Sequence, residues 1–260
     1  MKLFWQFTKI FLTVLLLSQF ASKNAYAIPK KNLTIFAEPN IMMAMTKLAR
    51  IYSRRSNVIV SVNFNSSEEL LNQIDQGDPA DLLITANSKS IEEVKQKGLA
   101  DYYNIGFFAK DEIVLVRSKK IGEDLTDVEE IDLDTYLREL DNLASTIITD
   151  SLGSSSGNRS VGYLNNLNLK NLKVFSKITE DESSILKLIK DDKKRYGLVF
   201  LSQVYNDKDL TILARSNRGD IFYQALVVLG YNMETAREFL RFLKSKTAQD
   251  ILIQNKLTVS

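Results

Sequence analysis

Apolar runs rich in β-branched residues alternate with segments of helical periodicity along most of this chain. The runs LTIF (33–36), VIVSVNF (58–64) and ADLLITA (80–86) have the length and composition of buried strands. Between them, residues 41–52 and 67–76 place apolar side chains three or four positions apart, which is typical of amphipathic helices. This β-α-β-α-β order predicts an α/β fold with a parallel, doubly wound sheet.

The rest of the chain continues the alternation. Further strands are predicted at 112–117, 145–150, 196–202 and 221–230, and further helices at 90–99, 179–192, 233–244 and 246–255. A loop of small residues, SLGSSSGNRS at 151–160, lacks the Gly-Lys pair of a P-loop. Because ligands of open α/β sheets bind at the carboxyl ends of strands, we expect the loops at 37–40, 65–67, 151–157 and 179–183 to converge on one cleft.

Two adjacent serines precede the second predicted helix. Ser66 and Glu69 have the spacing of a capping box, in which Ser66 caps the helix and Glu69 folds back on the cap. Gly77 is the predicted helix end. Ser67 adds a second hydroxyl beside the unpaired N–H groups of the helix start, where proteins bind anions. Ser67 is therefore either a redundant cap or an anion ligand. Asn40 is the predicted N-cap of the preceding helix.

The first 27 residues are typical of a secretory signal peptide. Lys2 and Lys9 form a basic start, residues 10–17 are apolar, and Ala25-Tyr26-Ala27 fits a cleavage site. Cleavage after Ala27 predicts an exported protein that begins at Ile28. The chain has no cysteine, which excludes a disulfide framework and thiolate metal sites and suits a bacterial periplasm.

Composition excludes several classes of function. Without the three lysines of the predicted signal peptide, 31 basic residues face 32 acidic ones, so the basic surplus of a nucleic-acid-binding protein is absent. The chain has no histidine, which removes Ser-His-Asp and Cys-His catalytic sites and the commonest metal ligand. Hydrolysis by a carboxylate pair remains open. The acid-rich segment 123–134 lacks the glycine of a calcium loop and is interpreted as a solvated helical face.

Three blocks of the sequence are similar to the periplasmic molybdate-binding proteins of ABC importers. They are LTIFAEPNIMMAMTKLARIY (33–52), NFNSSEELLNQIDQGDPADLLITAN (63–87) and DEIVLVRSKK (111–120), and the segment QIDQGDPADLLITAN (73–87) is the most specific. The segments 196–200 and 236–257 are looser matches, so the resemblance spans nearly the whole chain after the signal peptide. It implies a two-lobed, type II periplasmic binding protein, in which each lobe is a doubly wound mixed sheet flanked by helices.

The resemblance also implies an organisation and a set of partners. Residues 28–112 and 223–260 would form lobe 1, residues 113–222 would form lobe 2, and a solute bound between them would stabilise the closed form. The closed form would deliver molybdate or tungstate to a membrane permease driven by an ATPase. The resemblance implies a monomer, with no cofactor and no protein-bound metal cation.

In these proteins, hydroxyls and backbone N–H groups hold a dehydrated oxyanion. Carried over by position, the ligand-binding residues fall on Asn40, Ser67, Ser156, Glu182 and Phe200. Only Ser67 is unchanged among the side-chain donors. Asn40 still offers an N–H group, whereas Phe200 has lost the hydroxyl of a tyrosine and is equally well explained by core packing. Ser156 is equally well explained as part of a polar loop.

Two carboxylates, those of Glu182 and Glu38, lie close to this predicted anion site. Two unit charges about 4 Å apart repel by about 4 kcal/mol at an effective dielectric constant of 20. That repulsion exceeds the roughly 1.5–3 kcal/mol of a hydrogen bond to a charged group. Glu182 could avoid the conflict by folding back on Thr179 in capping-box spacing, and Glu38 precedes Pro39 at the end of the first strand.

These substitutions leave three alternatives open. The first is a divergent solute-binding protein for a neutral, cationic or other small solute; a ferric-ion site would need paired tyrosines or a histidine. The second is an exported enzyme on the same fold, such as a dehydratase, with Glu182 as general acid of raised pKa. The third is an interaction protein that has lost its ligand.

Overall fold

Two mixed β-sheets, each flanked by helices, form the framework of the protein. The computed structural model describes residues 30–119, 131–176, 183–191, 195–216 and 221–259. The strands are β1 (Lys31–Ala37), β2 (Val58–Phe64), β3 (Leu82–Thr85), β4 (Ala100–Asp111), β5 (Ile113–Ser118), β6 (Ile131–Asp132), β7 (Thr146–Thr149), β8 (Lys173–Ser176), β9 (Arg195–Phe200), β10 (Leu210–Arg215) and β11 (Ile221–Val228).

The helices cover both sheets. They are α1 (Met42–Arg55), α2 (Ser67–Asp75), α3 (Ser88–Gln96), α4 (Leu133–Asn142), α5 (Ser155–Asn166), α6 (Ser183–Asp191), α7 (Leu201–Val204), α8 (Met233–Leu243) and α9 (Lys246–Gln254). A 3₁₀ turn, Pro39–Ile41, joins β1 to α1. No helix in the described ranges combines the length and the apolar character that a membrane span requires.

The first sheet has the strand order β2-β1-β3-β11-β4. Strand β1 pairs in parallel with β2 and β3, and β11 is antiparallel to β3 and β4. β1 is buried on both faces in its second half, since Ile35, Phe36 and Ala37 are all buried. An apolar run buried in this way is expected for the centre of a parallel sheet. The carboxyl end of β1 therefore lies in the interior of the first sheet, between β2 and β3.

The second sheet has the order β6-β10-β5-β9-β7-β8. β7 pairs in parallel with β8 and β9, whereas β5 is antiparallel to β9 and β10. The two sheets are linked at Glu112, because β4 ends at Asp111 in the first sheet and β5 begins at Ile113 in the second. Strand β11 returns the chain to the first sheet. The predicted fold class, two lobes with a mixed sheet each, is confirmed.

The predicted strands and helices match the structure most closely where periodicity is strongest. The strand predicted at 58–64 has the bounds of β2, and the two C-terminal helices agree with α8 and α9 within one residue at each end. The prediction did not include β4, β8, β10 or α4. β4 is twelve residues long and forms the edge of the first sheet.

Three local predictions are wrong. Asn40 is not an N-cap, because helical winding already begins at Pro39, whose fixed φ and missing N–H suit the first position of a helix. The segment 151–160 is not all loop: α5 begins at Ser155, and the Ser154 Oγ caps it by accepting from the Gly157 N–H at 3.0 Å.

The third correction concerns the capping box of α2. Ser66 does cap this helix, since its Oγ accepts from the Glu69 N–H at 3.3 Å. The reciprocal bond does not form, because the Ser66 N–H donates to Asn65 Oδ1 at 2.9 Å and Glu69 Oε1 accepts from Gln73. The predicted signal peptide 1–27, most of the acid-rich segment, and the Thr179–Glu182 box lie outside the described residues.

We predict opposite effects from two glycine-to-alanine changes in α5. A Cβ at Gly157 would lie 2.1 Å from the Ser151 carbonyl oxygen and 2.4 Å from that of Asp150, so the backbone would have to move. Gly157→Ala should lower the free energy of unfolding by about 1–3 kcal/mol, as overpacking does. A Cβ at Gly162 would have nothing within 4 Å, so Gly162→Ala, the matched control, should raise it by about 0.5–1 kcal/mol. Urea unfolding midpoints measure both, and equal shifts would contradict the prediction.

Candidate ligand site between the lobes

The carboxylate of Glu38 is buried where the two lobes meet. Glu38 follows β1, directly before the 3₁₀ turn, and 1% of its surface is exposed. Its backbone is extended (φ −71°, ψ 145°), the conformation that a following proline imposes. Pro39 therefore fixes the direction in which the side chain leaves the strand.

Uncharged donors from three separate segments surround this carboxylate. Within the described residues, Oε1 accepts hydrogen bonds from the hydroxyls of Ser67 and Thr85, the latter at 2.8 Å. Oε2 accepts from the Ala86 N–H at 3.1 Å and from the Ser155 hydroxyl at 2.5 Å. We call Ser67, Thr85, Ala86 and Ser155 the donor cluster. It gives a buried negative charge the hydrogen bonds that it needs in place of water.

The fold brings the donor cluster together from helix starts and a strand end. Ser67 and Ser155 are the first residues of α2 and α5, where backbone N–H groups carry a partial positive charge. Thr85 ends β3, which lies beside β1 in the first sheet. The Thr85 hydroxyl also accepts from the Asn87 N–H at 2.8 Å, which orients its own proton towards Glu38.

Asn40 lies next to the donor cluster and bonds across the lobes. Its Nδ2 donates to Ser155 Oγ at 3.2 Å. A second hydrogen bond between the two lobes runs from the backbone N–H of Glu68 to the Gly153 carbonyl at 3.3 Å. The Asn40 Oδ1 is buried and has no hydrogen-bond partner among the described residues. An unpaired buried acceptor costs about 1–3 kcal/mol. The junction thus holds one polar atom that a ligand could still satisfy.

The predicted site residues fall into different places. Ser67 lies in the donor cluster and Asn40 beside it. Ser156 does not contact Glu38; its hydroxyl donates to Gln203 Oε1 at 3.1 Å. Phe200 is fully buried in the core, and its N–H donates to the same Gln203 oxygen at 2.8 Å. Glu182 lies outside the described residues.

Sequence reasoning missed three members of the donor cluster. Ser155 contributes its hydroxyl although Ser156 was predicted, because the helix start at Ser155 fixes which serine faces the first lobe. Thr85 and Ala86 were not predicted. Both residues lie at the carboxyl end of β3. Because ligands of open α/β sheets bind at the carboxyl ends of strands, this position could have identified them.

The family of the chain follows from a match over most of its length. Residues 33–255 match the model of the bacterial extracellular solute-binding proteins. The chain belongs to this family.

Curated relatives of this solute-binding protein include two molybdate-binding proteins. It is 27% identical over 232 residues to ModA of Escherichia coli K12, covering 87% of this chain and 89% of that protein. It is 24% identical over 227 residues to ModA of Haemophilus influenzae, covering 85% and 87%. Both relatives are thus binding proteins by name.

Solved structures share the two-lobed fold. The tungstate ABC transporter protein from Geobacter sulfurreducens matches with a TM-score of 0.70 at 14% identity, covering 86% of this chain and 98% of that one. The substrate-binding domain of a molybdenum ABC transporter from Clostridium difficile gives 0.64 at 22%, covering 88% and 99%. Peb3 from Campylobacter jejuni gives 0.61 at 15%, covering 87% and 99%, and PEB3 has also been solved with L-phospholactate bound.

A second buried carboxylate links the lobe crossing of this solute-binding protein to Asn40. Asp111 ends β4, and its Oδ2 lies 2.5 Å from Ser202 Oγ and 3.4 Å from the Tyr223 hydroxyl. Ser202 Oγ also lies 2.8 Å from the Asn40 carbonyl oxygen. A hydroxyl has one proton, so it can donate fully to only one of these acceptors. Burial raises the pKa of Asp111 to about 6. When Asp111 is protonated, the Ser202 hydroxyl is free to donate to the Asn40 carbonyl oxygen.

A third buried carboxylate lies in the second sheet's part of the chain. Asp150 directly follows β7, and its Oδ2 accepts from Gln203 Nε2 at 3.1 Å. Burial raises the pKa of Asp150, while the hydrogen bonds from Gln203 and Ser156 act in the opposite direction. Gln203 thereby links Asp150 to Ser156 and to the Phe200 N–H. Across the described ranges, no three Asp or Glu side chains gather into a candidate metal site.

A cavity of about 460 Å³ adjoins the donor cluster through Ser155. Its walls are the start of α3 and one face of α5, and Ile113 and Ile221 at the two crossing strands also line it. Lys89 and Arg159 stand on opposite walls. Neither forms an ion pair with a carboxylate of the described residues. The cavity therefore combines apolar and polar walls with two exposed cationic side chains, and it has the size that small-molecule ligands occupy.

We predict that Asp111 makes the stability of the protein fall as pH rises from about 4 to 6. Its folded pKa, about 6, lies above the ordinary 3.8, so in this window the folded state keeps a proton that the unfolded state releases. The stabilisation that this proton provides is complete below about pH 4 and lost above about pH 6, a change of about 3 kcal/mol in the free energy of unfolding. The Asn of Asp111→Asn cannot ionise, so this variant should gain stability relative to the wild type as pH rises.

Unfolding free energies at pH 4 and pH 7 measure this difference. Asp78 provides the control, since Asp78→Asn makes the same substitution at an exposed position. A constant difference between the wild type and Asp111→Asn across both pH values would contradict the assignment.

Proposed function

We propose that this chain is the periplasmic solute-binding protein of an ABC importer and binds a tetrahedral oxyanion, molybdate or tungstate, between its lobes. The observation that carries the proposal is the donor cluster: neutral hydroxyls and one N–H, at two helix starts and one strand end, already surround the carboxylate of Glu38. Groups of this kind stabilise a dehydrated anion without a counter-charge. The two ModA relatives are molybdate-binding proteins by name, which supports this choice of ligand.

The proposal extends to organisation and partners. Residues 28–112 and 223–260 form lobe 1, residues 113–222 form lobe 2, and residues 1–27 are a signal peptide cleaved after Ala27. The loaded protein docks as a monomer on a membrane permease with its ATPase and catalyses no reaction. The assignment of strands to sheets supports these lobe boundaries, since β4 and β5 belong to different sheets and are separated only by Glu112.

Titration of the mature protein with molybdate, tungstate and sulfate tests this function. We expect tight, selective binding, with a stabilisation of about 2.7 kcal/mol at a hundredfold excess of ligand over Kd. Ser67→Ala and Ser155→Ala remove donors worth about 1.5–3 kcal/mol each to a charged group. Because both hydroxyls also bind Glu38 before the ligand arrives, part of this loss cancels, and we expect each change to raise Kd about tenfold.

The control is Ser160→Ala, the same substitution in the same helix. The Ser160 hydroxyl is buried but donates to the Leu198 carbonyl at 3.1 Å, away from the donor cluster. Ser160→Ala should leave Kd unchanged. Oxyanion binding that responds equally to all three substitutions would place the anion elsewhere.

The cavity beside Ser155 favours a second candidate, a small organic anion such as a carboxylate or a phosphate monoester. A volume of about 460 Å³ exceeds what one tetrahedral oxyanion needs, and Lys89 and Arg159 provide two cations for a charged group. The fold accommodates such a ligand in PEB3, which has been solved with L-phospholactate.

Thermal-shift screening of small carboxylates and phosphate monoesters tests the second candidate. If a compound binds in the cavity, Arg159→Ala and Lys89→Ala should each weaken it about tenfold, the loss of one charged hydrogen bond. Arg138→Ala, an exposed arginine of α4 outside the cavity, should have no effect. A compound that shifts the melting temperature equally in all three variants does not bind there.

A further inference from the structure

Glu38 places a carboxylate at the position that the donor cluster offers to an anion. The cluster combines donors from the first lobe, Ser67, Thr85 and Ala86, with Ser155 from the second. Both carboxylate oxygens are used, and the residue is almost fully buried. A free anion that reached these donors would meet this charge first.

We infer that Glu38 is a tethered anion that fills the anion-binding position of its own protein, so that a free anion binds only by displacing it. The inference rests on the proposed function, because it assumes that the solute is an anion. On this view Glu38 sets the affinity. The measured Kd reflects the difference in binding free energy between the free anion and the Glu38 carboxylate on the same donors.

Coexistence of the two anions in the donor cluster is excluded on two grounds. Each hydroxyl and each N–H has one proton, and those of Ser67, Ser155 and Ala86 are already directed at Glu38. No cation is among these partners, so a second negative charge a few ångströms away would be strongly repelled. One of the two anions must therefore leave.

Displacement requires movement of the side chain only. Pro39 restricts Glu38 to the extended backbone that it already has, and the Glu38 N–H is bonded to the Ile84 carbonyl at 3.3 Å. The side chain has three rotatable bonds beyond this fixed point. Rotation about them carries the carboxylate out of the cluster, and the cavity beside Ser155 is the neighbouring space, with the cations Lys89 and Arg159 on its walls.

The contacts of Asn40 support the view that the cluster is built for exchange. Its Oδ1 is buried without a partner among the described residues while Glu38 fills the cluster, although its Nδ2 reaches Ser155. Rotation of the amide would instead present the NH2 group to an incoming oxyanion, which has acceptors on every side. The NH2 group of Asn40 can therefore serve as one more donor to an anion that replaces Glu38, while Oδ1, an acceptor, takes no part in binding that anion.

The test compares the wild type with Glu38→Ala, using formate, molybdate and tungstate as probes. Formate is the detached equivalent of the Glu38 carboxylate. We expect formate to raise the melting temperature of Glu38→Ala and not that of the wild type, and we expect the Kd for molybdate or tungstate to fall about a hundredfold in the variant. Glu68→Ala is the control, because it removes the same charge from an exposed side chain one residue after Ser67.

The outcomes separate this inference from the proposed function. Equal responses of the wild type and Glu38→Ala to formate and to the oxyanions would overturn the inference, as would an equal gain in Glu68→Ala. Formate binding to Glu38→Ala without any oxyanion binding would support the tethered anion and overturn the proposed function.

A second measurement applies if Glu38→Ala does not fold. Wild-type crystals soaked in tungstate should show the anion within hydrogen-bonding distance of Ser67 and Ser155, with the Glu38 carboxylate moved away from both. Tungstate bound elsewhere, with Glu38 still on these hydroxyls, would overturn the inference.

Discussion

The hydrogen bonds to the Glu38 carboxylate connect almost every part of the structure that bears on function. They join the end of the central strand β1, the starts of α2 and α5, and the end of β3. A buried charge of this kind is stable only if its donors are held in place by the fold, because in a low-dielectric interior each lost donor costs more than in water. The arrangement of strands and helices is therefore what allows a carboxylate to be buried between two lobes with no cation among its partners in the described part of the chain.

The same interaction explains how the lobes are held against each other. Glu38 and Asn40 belong to the first sheet's side of the junction, and both bond to Ser155, at the start of α5. In binding proteins of this class a ligand stabilises the closed form by contacting both lobes at once, and a ligand shifts that equilibrium only by its differential affinity. Here a residue of the chain already contacts both lobes. If Glu38 is the tethered anion inferred above, a solute shifts this equilibrium only if it stabilises the closed form more than Glu38 does.

Much of the fold follows from periodicity, but the candidate site depends on the rotation of helices that the sequence leaves undetermined. The alternation of apolar runs is sufficient to predict β1, β2, β3 and the class of fold. At 151–157, four serines compete as caps, and successive residues of a helix point about 100° apart, a consequence of 3.6 residues per turn. Choosing Ser154 as cap turns Ser155 towards Glu38 and Ser156 towards Gln203. No pattern in the sequence distinguishes these choices. The reach of the Glu38 side chain into the cluster is equally invisible, because it depends on how closely α2 and α5 approach β1.

Asp111 and Glu38 are connected through Asn40, which gives the junction two carboxylates with different roles. Glu38 accepts from uncharged donors on both oxygens, whereas Asp111 shares the Ser202 proton with the Asn40 carbonyl, and burial raises the pKa of Asp111. Protonation of Asp111 would strengthen the bond from Ser202 to the turn that carries Glu38 and Asn40. The crossing strand and the ligand site are thus joined by one hydroxyl. The buried acid at the crossing and the carboxylate of Glu38 are therefore linked by a continuous chain of contacts through Ser202, Asn40 and Ser155.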